Sequence, residues 1–215
     1  MSQFVVKKLP LKLPKEDVDD LVEFTSRAFA SSSYMDDFTG GDDSLRGLTT
    51  RCLIGAANVG GGEMYGAVEV ATGKVVSLAV CAPPGKMLNE TPEEREQGTN
   101  ELLFRLSPEA KKWREKILGG KIASFYEESL ARSGEVEVSY KNSWSFELVA
   151  TDPNYQNRGL ATQVIRTVLE KYRGTSDLAV VACALDPLER FYQSLGFQTK
   201  GYKVFPGCVN PTVIS

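Results

Sequence analysis

Gln156-Asn-Arg-Gly-Leu-Ala-Thr162 is a run of small and polar residues set between an apolar segment and a helix-periodic one, and its chemistry is that of an anion site. Pro153 has no N–H to give a sheet ladder, so a strand through Phe146-Glu-Leu-Val-Ala-Thr151 ends there, and Leu160, Val164, Val168, Leu169 and Tyr172 then recur at helical spacing. The helix is predicted to begin near Gly159. Its first N–H groups lack intrahelical acceptors and its dipole leaves positive potential at that end, which suits a phosphate or diphosphate. Gly159 and Ala161 let a ligand approach the main chain, and Arg158 adds one charge. A P-loop needs Gly-Lys-Ser/Thr entering the helix and a Rossmann turn needs three spaced glycines; this turn has neither. Gly60-Gly-Gly62, between a predicted helix and a strand beginning near Glu63, reads as a flexible connection.

Proton transfer has few candidates. The 215 residues include no histidine, which removes the commonest general base and metal ligand and excludes Ser-His and Cys-His triads. Carboxylate, tyrosine, cysteine, lysine or water must serve. Glu147, between Phe146 and Leu148 in the strand, is where partial desolvation would raise a carboxyl toward the range of a useful base; a cross-strand ion pair or a solvent-facing position is the competing reading. Cys52, Cys81, Cys183 and Cys208 are far apart and read as reduced, mostly buried thiols with no zinc spacing, so no metal is expected. The net charge of −3 and the absence of a basic cluster interleaved with aromatics give a nucleic acid or an anionic membrane no electrostatic basis as partner. No apolar run reaches membrane-spanning length, and Met1-Ser-Gln-Phe-Val-Val-Lys-Lys8 lacks the core of a signal peptide. A cytoplasmic protein acting on a small molecule is the expectation.

The elements that must hold this turn follow from patterning. Phe4 to Leu9 reads as a strand, and Pro14 opens a helix with Val18, Leu21, Val22, Phe24 and Phe29 on one face. Ser31 to Asp43, rich in turn formers, is predicted to break the pattern before a helix over Ser44 to Ala57. Tyr65–Val70 and Lys74–Val80 form a predicted hairpin. A helical insertion, about 82–142, follows: Pro92–Gln97, Asn100–Leu106 and Pro108–Arg132, with Gly119-Gly120 expected to divide the last into two helices. Trp113, Ile117, Ile122, Phe125, Tyr126 and Leu130 are available to dock it. Leu178–Cys183 reads as a buried strand and Tyr202–Phe205 as a closing strand. The layout is α/β with a mixed sheet, expected as one domain over 1–215.

Gln156-Asn-Arg-Gly-Leu-Ala161, after the Asp152-Pro153 turn, resembles the Gln/Arg-x-x-Gly-x-Gly/Ala signature of the GNAT (general N-acetyltransferase) superfamily, and Pro187-Leu-Glu-Arg-Phe-Tyr-Gln-Ser-Leu-Gly-Phe197 resembles its Tyr-x-x-x-Gly-Phe helix and exit turn. The likeness is specific from about Phe146 to Phe197; before that only the order of elements fits. It implies a central strand splayed from its neighbour, helices on both sheet faces, and acetyl-CoA-dependent acetylation of the primary amine of a small molecule by direct transfer in a ternary complex. Through the same resemblance Val149, Ala150 and Thr151 would bind the pantetheine arm, and Gln156, Asn157, Arg158, Gly159, Leu160, Ala161 and Thr162 the diphosphate. Tyr192 falls on the usual proton donor to the departing thiolate, although with Phe191 it would equally anchor its helix. Some members use a strand glutamate such as Glu147; a water relay is the alternative. Leu185 departs from the usual Asn or Ser, with Asp186 beside it. Tyr34, Asp36 and Asp37, followed by Asp42 and Asp43, fall in the variable acceptor region, where acidity points to a cationic amine or is simply solvated. Acetylation of a protein or peptide, and a silent acyl-CoA-binding module, are the competing functions.

Overall fold

The structure is a computed structural model that describes residues 3–132, 142–173, 179–183, 187–208 and 212–214. Five strands form one sheet in the order β1 (Phe4–Lys8), β2 (Glu63–Glu69), β3 (Val75–Ala82), β4 (Trp144–Thr151) and β5 (Ala179–Val181). The first four are antiparallel to their neighbours; β5 runs parallel to β4, pairing only Trp144, Ser145 and Phe146 with Ala179, Val180 and Val181. β3 is buried from Val76 to Ala82, as the centre of a sheet covered on both faces requires.

On one face lie α1 (Lys15–Ala28) and α3 (Arg46–Asn58), which with Leu78, Val80, Leu148 and Ala150 enclose one core. α1 starts after Pro14, carries Glu16 and Asp17 in its first turn and Arg27 in its last, and buries Val18, Leu21, Val22 and Phe24. On the other face α8 (Leu160–Tyr172) buries Leu160, Val164, Ile165, Val168 and Tyr172 against Tyr65, Ala79, Trp144 and Phe146. Each such side chain withdrawn from water contributes roughly 1.5–3 kcal/mol. The far end of α8 is pinned by Glu63, which accepts hydrogen bonds from Lys8 Nζ (2.5 Å), Tyr65 Oη (2.7 Å), Lys171 Nζ (2.9 Å) and Tyr172 Oη (3.0 Å).

That cluster carries a pH prediction. Burial alone would raise the Glu63 carboxyl, but the hydrogen bonds from Lys171, Lys8, Tyr65 and Tyr172 outweigh it and hold the group at about 2, below its ordinary 4.5. A carboxyl depressed by folding stabilises fully above the unfolded value and loses that contribution as pH falls toward the folded one, here between 4.5 and about 2. Because the carboxyl is only partly buried, solvent screening trims the contribution to on the order of 1–2 kcal/mol. Melting temperature measured from pH 6 to pH 2 should therefore fall more steeply in the wild type than in Glu63→Gln. Parallel curves would show that the cluster contributes nothing.

Four sequence expectations are corrected. Ser31 to Asp43 is not a plain break: it contains α2 (Ser33–Thr39), which ends on Gly40 in the left-handed region, φ 66°. Tyr34 and Phe38, one turn apart, pack together at 4.7 Å between ring centroids, and Phe38 meets Trp113 at 5.7 Å, so contact with the insertion stabilises a helix in a turn-forming segment. Gly119-Gly120 does not divide its helix: α6 (Pro108–Lys116) passes through a π turn, Ile117–Lys121, into α7 (Ile122–Arg132). The buried Ile117 and Phe125 keep the stripe continuous, which offsets the roughly 1 kcal/mol each glycine costs in a helix. Gly61 and Gly62 are packed rather than a simple flexible connection, since a Cβ there would lie 2.7 Å from Glu94 Cδ and 2.6 Å from the Cys81 carbonyl oxygen. The closing strand β6 (Lys203–Phe205) pairs with β7 (Thr212–Ile214) in a separate two-stranded sheet, because Phe205 is drawn into the Ile117–Phe125 cluster of the insertion.

The rest of the insertion is helical as expected, with α4 (Pro92–Glu96) and α5 (Thr99–Arg105) packed on α3. Thr91 and Ser107 cap α4 and α6 by accepting the N–H groups of Glu94 and Ala110. Among the described residues all four cysteines are free, two of them buried, and no helix is long and apolar enough to cross a membrane.

Candidate functional site

Two features set the second half of β4 apart from the first. Its ladder with β5 stops at Phe146, so beyond that point the edge turned away from β3 has no strand partner among the described residues. The ladder with β3 also shifts register between Val80 and Cys81, which leaves Glu147 without an opposite residue. This bulge reverses the strand's parity: Trp144 and Phe146 pack on the α8 side, Leu148 and Ala150 on the α1 side. Glu147 is partly buried at the reversal, where the strands part. Val149, Ala150 and Thr151 follow it along the unpaired edge.

The end of β4 is tied down from both sides. Asp152 accepts from Arg27 Nη2 at 2.7 Å and from the Asn154 N–H at 2.9 Å, and its own N–H donates to the Val76 carbonyl at 2.9 Å. The chain then makes a single 3-10 turn, Pro153–Tyr155, and enters α8 through Asn157 and Gly159 with φ of 60° and 71°. Gly159 suits that left-handed conformation, and a Cβ there would meet nothing within 4 Å. Among the described residues no acceptor receives the N–H groups of Asn157 to Thr162, whereas the next, Gln163, bonds the Gly159 carbonyl at 3.1 Å. Six donors thus lie without an acceptor at the positive end of a 13-residue helix, beside the open space at Gly159, an arrangement that favours an anion. Gln156 Nε2 bonds the Thr151 carbonyl at 3.2 Å, and Arg158 lies over the Tyr155 ring at 5.0 Å with Nη2 on the Asn154 carbonyl.

Tyr192, on α9 (Leu188–Ser194), is buried between Phe191 and Phe197 at ring separations of 5.2 and 5.5 Å. Its hydroxyl has no hydrogen-bond partner among the described residues. Burial, then the neighbouring Cys183 and Cys81 thiols, push the phenol above its ordinary value, so it stays protonated throughout the neutral range. Tyr192 and Cys183 line a cavity of about 400 Å³ walled by β5, α9 and Tyr126, Ser129 and Leu130 of α7. Leu185 and Asp186 lie outside the described residues.

The predicted acceptor residues are divided. Asp36 is committed to Arg46, which also holds Asp43 at 2.8 Å. Asp37 is fully buried, and Tyr34 lies within electrostatic reach of Glu147 and Arg114: burial first, then the Glu147 charge, raise its phenol. Sequence reasoning missed the bulge and Arg114. The available signal was a cation at the position that Ala110, Trp113 and Ile117 mark as the inward face of the helix.

Residues 90–206, just over half of the chain, match the family model of the acetyltransferase (GNAT) domain. No curated protein matches the sequence. Among solved structures, agmatine N-acetyltransferase in its apo form superposes with a TM-score of 0.61 at 15% identity, covering 99% of this chain and 97% of its own. The polyamine N-acetyltransferase of Drosophila melanogaster gives 0.60 at 17%, covering 98% and 96%. A structure from Corynebacterium glutamicum described as histone acetyltransferase HPA2 and related acetyltransferase gives 0.62 at 14%, covering 99% and 94%.

Proposed function

Starting from the premise that this chain belongs to the GNAT acetyltransferase family, we propose that it transfers an acetyl group to the primary amine of a small molecule, both substrates being held together on one domain. The observation that carries the reading is the row of unpaired N–H groups from Asn157 to Thr162 beside the opened edge of β4. Acetyl-CoA, when bound, supplies the acyl group as an activated thioester. The Asn157–Thr162 amides would grip the diphosphate, and the free edge of Val149, Ala150 and Thr151 would align the pantetheine arm. Glu147, at the bulge in β4, would take the proton of the ammonium directly or through a water. Tyr192, protonated and with an unengaged hydroxyl, would give a proton to the leaving sulfur. Positioning and proton management suffice for such a transfer, and no metal is required.

The inserted helices favour a small acceptor over a protein, because α6 and α7 pack through Trp113, Ile117 and Phe125 beside Tyr34 of α2 and Ala182 just beyond β5. Agmatine and polyamines are the acceptors named for two proteins of the same fold. Thiol release from acetyl-CoA should exceed background with members of a panel of polyamines, arylalkylamines and amino acids, and should not with lysine-containing peptides. Turnover confined to peptides would replace the small-amine reading by protein acetylation; acetyl-CoA binding with no turnover at all would leave a binding module.

A further inference from the structure

Arg114 of α6 is half-buried and carries no ion pair among the described residues. Its Nη1 donates to the Phe38 carbonyl at 3.4 Å and its guanidinium carbon sits 5.5 Å from the Phe38 ring centroid; among the described residues no carboxylate comes within 4.0 Å. Arg46 and Arg51, of comparable exposure, each hold an aspartate. Burial depresses the Arg114 cation, the mark of a charge short of solvation. Tyr34, packed on Phe38 at 4.7 Å between ring centroids, also has a hydroxyl with no hydrogen-bond partner among the described residues. A cation with no carboxylate partner and a phenol hydroxyl with no hydrogen-bond partner among the described residues thus lie within electrostatic reach of each other, beside the rings of Phe38 and Trp113. The negative groups facing Tyr34 are Glu147 from β4 and Asp37 from α2. A planar fork of N–H donors matches a carboxylate in both charge and shape.

We propose that the acceptor is a primary amine that also bears a carboxylate, with the carboxylate held by Arg114 and the Tyr34 hydroxyl while the amine faces Glu147. This rests on the amine-acetylation reading above and adds the acceptor class. A polycation lacking the carboxylate would place its second charge against the guanidinium.

The test uses pairs that differ by the carboxylate alone: arginine against agmatine, ornithine against putrescine, tyrosine against tyramine. The wild type should favour the carboxylated member of at least one pair by tenfold or more in kcat/KM. Arg114→Leu should shrink that preference at least tenfold, Arg114→Lys should keep part of it, and Tyr34→Phe should raise KM for the carboxylated member more than for its partner. Preference for the decarboxylated amines, or an Arg114→Leu that lowers both members equally, overturns the proposal. Should the leucine variant not fold, as judged by its melting curve, the wild-type preference and the lysine variant decide. Acetyl-CoA binding without turnover of any amine defeats the N-acetylation reading itself, whereas turnover of decarboxylated amines alone defeats only the acceptor class.

Discussion

Gly159→Glu should abolish acetyl-CoA binding and leave the protein folded. Gly159 sits at φ 71° with open space where a Cβ would point. A side chain there costs about 1–2 kcal/mol for the left-handed conformation but forces no displacement, so for a chain of this size the melting temperature should drop by only a few degrees. The glutamate would project its carboxylate into the space bordered by the Asn157–Thr162 amides, occupying the donors and repelling a diphosphate together. Affinity by calorimetry should weaken at least a hundredfold. Gly159→Ala separates strain from charge: it shares the backbone cost and should retain most of the binding. Undiminished affinity in Gly159→Glu would place the diphosphate elsewhere.

Tyr192→Phe should lower turnover by roughly ten- to a thousandfold, the scale on which a positioned general acid contributes, with acetyl-CoA affinity and melting temperature nearly unchanged. The separation follows from what the ring and the hydroxyl each do. The ring packs between Phe191 and Phe197, and phenylalanine preserves that packing. The hydroxyl has no hydrogen-bond partner among the described residues, so its removal breaks no observed internal bond and leaves no cavity of consequence. Because burial and the Cys183 and Cys81 thiols raise the phenol, the acid form persists above the ordinary value of 10, and an alkaline decline in wild-type activity near pH 9 would belong to another group. Equal turnover in the two proteins removes the proton-donor role. A large fall in melting temperature with proportionate loss of turnover would instead make Tyr192 a core anchor.

How much was legible is seen by comparing the two ends of β4. At its C-terminal end, Pro153 stops the ladder and Gly159 starts the helix, and both effects are intrinsic to those residues, so the strand-turn-helix unit is where the spacing put it. The apolar period of α8 likewise identified the face it buries. Toward the start of the strand the sequence misleads. Trp144, Phe146, Leu148 and Ala150 alternate as one face of a regular strand, yet the bulge at Glu147 sends the two pairs to opposite cores. Nothing local marks the bulge, which arises from fitting β4 against β3 rather than from the residues themselves.

The sequence by itself determined the α/β layout, the strand-turn-helix unit and the amide row proposed to hold a diphosphate, because periodicity, proline and glycine act over one or two turns of chain. Tertiary structure decided that Gly119-Gly120 is wound into a continuous helix, that β6 leaves the main sheet, and that Arg114 faces Phe38 across 76 positions of sequence. Those outcomes depend on which apolar surfaces bury one another. Burial is a property of pairs of segments, and neither member of a pair encodes it alone.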